Sequence, residues 1–295
     1  MLLFLQVRCN LKIILSRKGV DSGNCKASNL VLFNNLGQSE IIMIPIPNDD
    51  DKIAYKDIIF SRNYERDLYT KGYLKSFNIN LSSYCHLDPN LANYYEDLKF
   101  LGSVGQVGSS QTHLENQRIK VGDIFIFFGR FEFQKISTDS VETIMKDKHV
   151  MFGYLQIGEI IYPNKLTKQE RDFYEKKYPW ITTQPHWNFE KYKDIENNCI
   201  YVARDKCSFD ENIKGYGVFE FNENLILTKK GKSISQWKLP RPLRRLNISY
   251  HDKSNRKWTY FQSAVRGQEF VIEEKKKVEK WAVNLIKNYV NKGDI

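Results

Sequence analysis

The chain has 295 residues, of which 41% are hydrophobic, 14% aromatic and 27% charged. This composition supports a packed, β-rich core and excludes wholesale disorder or a fibrous protein. No apolar run reaches the ~18 residues that a membrane span requires, so we expect no membrane association. The 5 cysteines are scattered singly, which predicts reduced thiols, a cytoplasmic location and no zinc site.

Basic residues outnumber acidic ones, 45 to 35, and most of the excess lies in residues 229–257. This basic window contains ten Lys or Arg residues and a single acid, Asp252, for a net charge of +9, and it includes or adjoins Trp237, Tyr250 and Trp258. Cations neutralise phosphates and aromatic rings stack on bases, so the window predicts a nucleic-acid surface. A solvated Lys-rich face over core aromatics is the alternative. The expected phosphate contacts are Lys238, Arg241, Arg244 and Arg245.

Periodicity and capping signals predict the elements. Residues 1–10 are expected to be a poorly determined leader before one domain over 11–295, and residues 53–85 are too weakly periodic to assign. Pro89 suits a first helical turn, Thr167 and Glu170 form a capping box, and Pro179 ends that helix. In the first half of the chain we predict a strand at 12–15, an apolar run at 41–46, helices at 88–97 and 110–117, and strands at 124–129 and 149–161. In the second half we predict a helix at 167–178 and an amphipathic helix at about 273–291. Between these two helices we predict short strands at 199–203, 217–221, 225–228, 246–250, 257–261 and 269–272.

Strands outnumber helices in this pattern. The predicted fold is therefore α+β, with a mixed, mostly antiparallel β core, flanking helices and a C-terminal amphipathic helix. The stretches Gly122–Gly129 and Phe152–Glu159 look like barrel strands of the PUA-like modules, which bind RNA or modified bases. We therefore expect the core to be a partly closed, PUA-like barrel.

A glycine-rich loop at 102–108 leads into the helix predicted at 110–117, which Ser109 and Ser110 can cap. Free N–H groups and the positive end of the helix dipole suit a phosphate there. The loop lacks the Lys-Ser/Thr of a nucleotide-binding P-loop, and a capped helix with a hydrogen-bonded histidine is the alternative. The candidate residues are Gln106, Ser110, Gln111, Asn116 and Gln117 for ligand contacts and His113 as an acid or base.

Polar candidates also lie in the loop at 16–23, the strand at 149–161, the loop at 185–188 and the region 237–269. Histidine beside an aromatic ring can place an acid/base group next to a stacking surface. Plain turns, an exposed loop histidine or weak surface ion pairs would explain the same residues without function. The acid/base candidates are His186 and His251, with Asp21 or Glu159 orienting one of the histidines. The ligand-contact candidates are Arg17, Lys18, Ser22, Gln156, Asn188, Trp237, Ser249, Tyr250, Arg266, Gln268 and Glu269, with Trp187 as a second stacking ring.

No local spacing predicts a metal site. His86 precedes Asp88, but neither has another ligand nearby in the sequence. A metal centre or a hydrolase would therefore depend on residues that meet only in space. The patterns do not identify a cofactor or a protein partner, so both stay unknown, and the expected partner is nucleic acid or a nucleotide.

Together these segments resemble the nucleotide modification associated domain, type 3 family, over about residues 13–271. The stretches that carry the resemblance are Ile13-Ile14-Leu15-Ser16-Arg17-Lys18-Gly19-x-Asp21-Ser22, Ile44-Pro45-Ile46-Pro47, His86-Leu87-Asp88-Pro89, Gly105-Gln106-x-Gly108-x-x-Gln111-x-His113-Leu114-x-x-Gln117, Gly122-Asp123-x-Phe125-x-Phe127-Phe128-Gly129, Phe152-Gly153-x-Leu155-Gln156-Ile157-Gly158-Glu159, Pro185-His186-x-Asn188, Ser235-x-Trp237-x-Leu239-Pro240, Leu246-x-x-Ser249-Tyr250-His251 and Arg266-Gly267-Gln268-Glu269-Phe270. Gln184 stands where the family has a histidine, and residues 24–28 are poorer in Gly and Pro. The resemblance implies association with nucleotide or DNA-base modification systems of bacteria and phage, without naming a reaction.

Three functions remain open. The chain could be a module that recognises nucleic acid or a modified nucleotide, an enzyme that acts on a base or phosphodiester through histidine acid/base chemistry, or an interaction protein with a Lys-rich surface. We expect the separated polar clusters to meet in one cationic cavity. A deep shared cavity would favour catalysis, and a shallow basic groove would favour binding.

Overall fold

A computed structural model describes residues 11–21, 23, 25–91, 100–137, 140–188, 190–264 and 267–291. The leader expected at 1–10 and most of the helix expected at 88–97 lie outside these ranges. Within them, no helix is both long and apolar enough to cross a membrane.

The described strands and helices alternate irregularly along the chain. The strands are β1 (Ile13–Arg17), β2 (Asn29–Phe33), β3 (Ser39–Ile42), β4 (Ile46–Pro47), β5 (Ile53–Ala54), β6 (Tyr84–His86), β7 (Ser103–Gln106), β8 (Ile124–Ile136), β9 (Val141–Ile161), β10 (Cys199–Ala203), β11 (Lys206–Cys207), β12 (Asp210–Lys214), β13 (Tyr216–Val218), β14 (Gln236–Trp237), β15 (Phe261–Gln262) and β16 (Glu269–Ile272). The α-helices are α1 (Tyr64–Ser76), α2 (Gly108–Asn116), α3 (Lys168–Lys177), α4 (Pro185–Asn188) and α5 (Lys276–Tyr289).

One mixed, mostly antiparallel sheet dominates the fold, with the order β16-β1-β8-β9-β10-β7 and with β2, β3 and β13 attached beside it. The strands β1 and β2 lie one after the other along the same edge of β8, both parallel to it. On its other edge β8 pairs antiparallel with β9, and the register shifts within this pair bend the sheet. The sheet curls into a half-barrel, and the α+β prediction with a C-terminal helix is confirmed.

Gly129 marks the point where β8 passes from β1 to β2. A Cβ there would lie 2.7 Å from the carbonyl oxygen of Lys18. The Lys18 N–H also donates to the Phe128 carbonyl oxygen at 2.9 Å. A glycine therefore lets the loop after β1 lie directly against β8, which places Lys18 at the end of the sheet.

The core is built mainly from aromatic and branched side chains of β1, β8, β9 and β16, which are buried on both faces of the sheet. A second cluster packs α1 against β2, β3 and β6, and a third packs Trp180 and Trp187 against β10. Helix α1 lies in the region without a sequence assignment. Few of its side chains are buried, so its apolar periodicity is weak, although Asn63 caps it by accepting from the Arg66 N–H.

Several sequence expectations need correction. Residues 225–228 and 246–250 form isolated bridges instead of strands, and only Phe261 and Gln262 of the region near 257–261 are extended. Pro240, Pro242 and exposed cations interrupt this part of the chain. Residues 88–90 are not helical, and Asn90 pairs with Ser103. The rest of the helix expected there lies largely outside the described residues.

Two further helices differ from the sequence expectation. Helix α2 begins at Gly108, two residues before Ser110, and has no side-chain cap from its own N-terminal residue. Instead, the Gly108 N–H donates to Asn197 Oδ1 at 3.0 Å. The predicted capping box at Thr167 and Glu170 is confirmed, and residues 185–188 form the short helix α4 where a loop was expected.

Candidate functional site

A polar cavity of about 360 Å³ lies at the carboxyl end of β1, and we call it the Asp88 cavity. It is lined by the end of β1 and its following loop, β4 and Asn48, the end of β6 and Asp88, and the junction of β7 and α2. His186, Lys191, Tyr192 and Gln268 complete the lining. Sheet pairing brings these segments together, since the Arg17 N–H donates to the Gln268 carbonyl oxygen at 2.8 Å. Residues from six separate parts of the sequence therefore share one cavity.

Asp88 accepts three hydrogen bonds in this cavity. Its side chain is 3% exposed and lies 3.1 Å from the ammonium group of Lys18, which is 8% exposed. The Gly105 N–H donates to Asp88 Oδ1 at 2.6 Å, and the Gln184 amide donates to the same oxygen at 3.1 Å. Burial acts to raise the pKa of Asp88, but Lys18, His186, His86 and the Gly105 N–H together hold that pKa below its ordinary value.

Two imidazoles flank Asp88. His86 Nδ1 lies 3.0 Å from Asp51 Oδ2, and His186 Nδ1 lies 2.7 Å from Asn198 Oδ1. The two ring centroids are 5.6 Å apart. Burial lowers the pKa of His186 to about 4, despite the opposing effect of Asp88, so this ring is neutral at pH 7.

The position of His186 depends on its neighbours in β7 and in the segment after α4. Its ring stacks on Tyr192, with centroids 4.5 Å apart and planes 11° apart. The opposite neighbour is Gly105, where a Cβ would lie only 2.0 Å from His186 Cδ2. The ring is therefore held between an aromatic face and a strand that tolerates only glycine.

A second buried acid, Glu269, lies behind the cavity on β16. Because Ser16 and Glu269 are paired residues of β1 and β16, the Ser16 hydroxyl donates to Glu269 Oε1 at 3.0 Å, and the Gln106 amide donates to the same oxygen. Its Oε2 atom has no hydrogen-bond partner among the described residues. Burial raises the pKa of Glu269, although Lys18, Ser16 and Gln106 oppose this effect.

Residues 12–273 match the family model of nucleotide modification associated domain 3. The chain belongs to this family. No curated protein and no solved structure matches it. The lining of the Asp88 cavity runs from Arg17 to Gln268 and so lies wholly within the matched residues. Membership of this nucleotide modification associated family links the chain to nucleotide modification systems.

The structure brings only part of the predicted site together. The candidates that line the Asp88 cavity are Arg17, Lys18, Asp21, Gln106, Ser110, His186 and Gln268. Glu269 contacts the cavity through Gln106. Ser22 and Arg266 lie outside the described residues. Three cations, Arg17, Lys18 and Lys191, and two acids, Asp21 and Asp88, line the cavity, so it is only weakly cationic.

A second group of candidates lies outside the Asp88 cavity. His113 Nε2 is 2.9 Å from the Ser249 hydroxyl oxygen, and the His113 ring is 4.3 Å from that of Tyr250. His251 donates from Nδ1 to the Ser249 carbonyl oxygen at 2.8 Å and accepts from the Ala264 N–H at Nε2, at 2.9 Å. Together with Gln117, His251 lines a shallow depression beside Lys12. Both nitrogens of His251 thus hold backbone groups.

Other candidates bond to neighbouring elements. Glu159 accepts from Tyr174, Tyr178 and Lys177, which fastens α3 to the sheet. Trp237 is 1% exposed, and its indole N–H donates to His149 Nδ1 at 3.0 Å. Four further candidates form hydrogen bonds within the fold: Gln156 with Gly122 and Ser208, Gln111 with Tyr201, Asn188 with Arg171, and Trp187 with Glu175. Asn116 is exposed at the end of α2.

The expectation of a single shared cavity therefore holds for one subset of the candidates. The register of the sheet explains the separation, because Gln156 is opposite Ile124, which pairs with Ile13 at the start of β1. Arg17 is at the other end of that strand. The cavity also contains residues that sequence reasoning left without a role, above all His86 and Asp88.

A larger basic groove, of about 1150 Å³, lies between α5 and the segment at 223–244. Its apolar surface includes Met145, Met151, Leu239 and Trp281. Glu223 is its single acidic residue, against seven cations. These cations are Lys148, Lys230, Lys238, Arg241, Arg244, Lys277 and Lys280. Three of the four predicted phosphate contacts line this groove; Arg245 is exposed but is not part of it.

Proposed function

We propose that this protein binds a nucleotide, free or within a strand, in the Asp88 cavity and processes its base or its phosphate ester by acid/base chemistry. The observation that carries the proposal is the convergence of six separated polar segments on one cavity with a buried Lys18–Asp88 pair. Burying such a pair costs several kcal/mol of desolvation per ion and adds little stability. Groups of this kind in a cavity are characteristic of functional sites.

The lining offers a complementary group for each part of a nucleotide. Arg17 and Lys191 supply cations for phosphate, and the ring of Tyr192 supplies an aromatic surface for a base. The amides of Gln106 and Gln268 carry both donors and acceptors, as a base edge does. Asp88 and His186 are the groups that would exchange protons with the bound molecule, with Lys18 beside them.

The function is tested by incubating the full chain with nucleosides, nucleotides and oligonucleotides that carry common or modified bases. Products are identified by mass spectrometry. We expect conversion of at least one modified nucleotide, and we expect His186→Gln to abolish it. His113→Gln is the matched control, because His113 is outside the cavity. Equal activity in both variants would contradict the proposal.

Arg17→Gln tests phosphate recognition in the same cavity. Loss of one charge-assisted hydrogen bond costs about 1.5–3 kcal/mol, so we expect nucleoside monophosphates to bind roughly 10–100 times more weakly. Nucleosides should bind with unchanged affinity, because they carry no phosphate. Calorimetry measures both affinities, and Arg62→Gln, an exposed arginine outside the cavity, is the control.

The basic groove favours a second function, the binding of a nucleic-acid strand without chemistry. Its cations are arranged around an apolar surface that includes Trp281, which suits phosphates and stacked bases. We expect affinity for single-stranded oligonucleotides to fall steeply as salt concentration rises. In the double variant Arg241→Gln/Arg244→Gln, the slope of log affinity against log salt should become shallower by about 1–2.

The matched control for this variant removes the same charge from exposed positions of α3, as Lys168→Gln/Lys176→Gln. If both double variants change the slope equally, net charge alone attracts the strand and the groove has no special role. Binding that does not depend on salt would contradict this second function altogether.

A further inference from the structure

We propose that His86, Asp88 and His186 form a binding site for one divalent transition-metal ion. Each residue offers a ligand atom, and these three atoms lie within 4.8 Å of one another. Zinc and similar ions bind imidazole nitrogen and carboxylate oxygen at about 2.0–2.2 Å, so small side-chain movements would bring all three onto one ion. His86 ends β6, Asp88 follows it by two residues, and His186 belongs to α4. The distance along the chain between Asp88 and His186 explains why no spacing in the sequence predicts the site.

Both imidazoles are oriented as metal ligands usually are. A ligating histidine donates its other ring N–H to a carboxylate or carbonyl oxygen, which sets the tautomer and the ring direction. Asp51 provides that oxygen for His86 Nδ1, and Asn198 provides it for His186 Nδ1. The Asn198 Nδ2 atom donates to the His186 carbonyl oxygen at 2.7 Å. This bond orients the amide so that its oxygen, and not its nitrogen, lies at His186 Nδ1. These bonds assign the ligand role to Nε2 in each ring.

The charges around the three residues also suit a cation. Asp88 pairs with the ammonium group of Lys18, and Asp51 bonds to His86, so two carboxylates and one ammonium group surround the three residues. Lys18 lies 3.1 Å from Asp88 Oδ2 and 3.2 Å from the Gly105 carbonyl oxygen, so it supplies the positive charge that a metal ion would bring to Asp88. A bound ion would therefore compete with Lys18 for that carboxylate oxygen.

The donor set indicates the class of ion. Two imidazole nitrogens and one carboxylate oxygen favour iron(II), zinc(II) or a neighbouring first-row ion over magnesium or calcium, which prefer oxygen ligands. All three residues line the Asp88 cavity, so the remaining coordination positions are accessible to water or to an oxygen of a bound nucleotide. The purpose of the ion rests on the proposed function: while bound to an ion, Asp88 and His186 could not exchange protons themselves, and a water molecule on the ion would supply that acid/base group instead. The binding of the ion can be measured without any nucleotide.

The experiment titrates Zn²⁺, Co²⁺ and Mg²⁺ into the untagged full chain after chelator treatment. Calorimetry should show one Zn²⁺ per chain with micromolar or tighter affinity, and Mg²⁺ should not compete. Co²⁺ should produce visible absorption bands of a site with nitrogen and oxygen ligands. This spectrum is recorded on the unaltered chain, so it does not depend on whether any variant folds.

Three variants locate the ion. His86→Gln and Asp88→Asn remove ligands, and we expect each to weaken Zn²⁺ binding at least tenfold. Asp51→Asn should weaken it about 10–100-fold by releasing the His86 ring. His113→Gln is the control and should bind Zn²⁺ as the unaltered chain does. Unfolding curves establish that each variant is folded.

The possible outcomes separate this site from the proposed function. Absence of stoichiometric Zn²⁺ or Co²⁺ binding to the unaltered chain, or binding that His86→Gln and Asp88→Asn leave unchanged, would overturn the metal site. Metal binding without conversion of any nucleotide would support the site and count against the proposed function. Nucleotide conversion that survives complete removal of metal would support the function and show that the ion has no part in it.

Discussion

At the scale of single residues, Gly105 determines whether the Asp88 cavity can form. Its N–H donates to Asp88, and its missing side chain gives space to the ring of His186. A glycine on a strand normally weakens the sheet, and it is often found where another group approaches closely. Here the approaching group is an imidazole that we place at the centre of the site.

We expect Gly105→Ala to lower the free energy of unfolding by about 1–3 kcal/mol, because the new methyl group would overlap the His186 ring. The displaced ring should also weaken Zn²⁺ binding. Gly217→Ala on β13 is the matched control, since its nearest contact would be an ordinary 3.5 Å from Tyr154. Urea unfolding measures both variants. Equal stability of the two would show that His186 moves aside without cost.

At the scale of elements, the basic window at 229–257 lacks long strands and yet is firmly attached to the sheet. Trp237 of β14 donates to His149 of β9, and Phe128 of β8 packs edge-on against the Trp237 ring, with centroids 5.1 Å apart. The exposed cations of the window thus extend from a buried aromatic anchor. This anchor replaces the stacking role that the sequence predicted for Trp237.

The same anchor predicts a loss of stability in acid. Burial, and then the charges of Arg17 and Arg130, lower the pKa of His149 from 6.5 to about 3. As the pH falls below about 6.5, the unfolded chain binds a proton that the folded chain refuses, so stability present at neutral pH is lost progressively towards pH 3. At pH 4.5 this residue should account for about 2–3 kcal/mol of that loss.

Urea unfolding at pH 7.5 and 4.5 measures the effect. His149→Gln can still accept from Trp237 but does not titrate, so its stability should fall less over this interval than that of the unaltered chain. The comparison separates His149 from carboxylates, which titrate equally in both proteins. Identical losses in the two proteins would show that His149 does not control the acid response.

At the scale of the whole molecule, local patterns were sufficient for the elements with strong signals. The predicted positions of β1, α2, β8, β9 and α5 correspond to described elements, although β8 and β9 are longer than expected. Continuous apolar runs, a capping box and a helical apolar stripe are patterns of neighbouring residues. A single sequence is therefore sufficient to predict the strands and helices that carry them. The helix α1 was missed because few of its residues are buried.

The sequence predicted individual residues of the candidate site but not their arrangement. Arg17, Lys18, Gln106 and His186 could be selected one by one, since cations, amides and histidine in loops are typical of binding sites. Their position in one cavity could not be predicted, because the residues that meet there are far apart in the sequence. Lys18 and Asp88 are separated by 70 residues, and Asp88 and Gln184 by 96. His113 and His251 carry the same residue type as His186, yet neither lines the cavity. His113 contacts Ser249 and Tyr250, and His251 bonds to two backbone groups.

The amino-acid order alone therefore determined the α+β class, the family, the strong elements and a set of polar residues suited to nucleotides, because each of these is recorded in short stretches of neighbouring residues. Only the tertiary structure decided that His86, Asp88 and His186 share a cavity while Gln156, Glu159 and Trp237 bond to neighbouring elements. Proximity of side chains depends on strand register and on the paths of long connections, and no local pattern in a single chain specifies either of them.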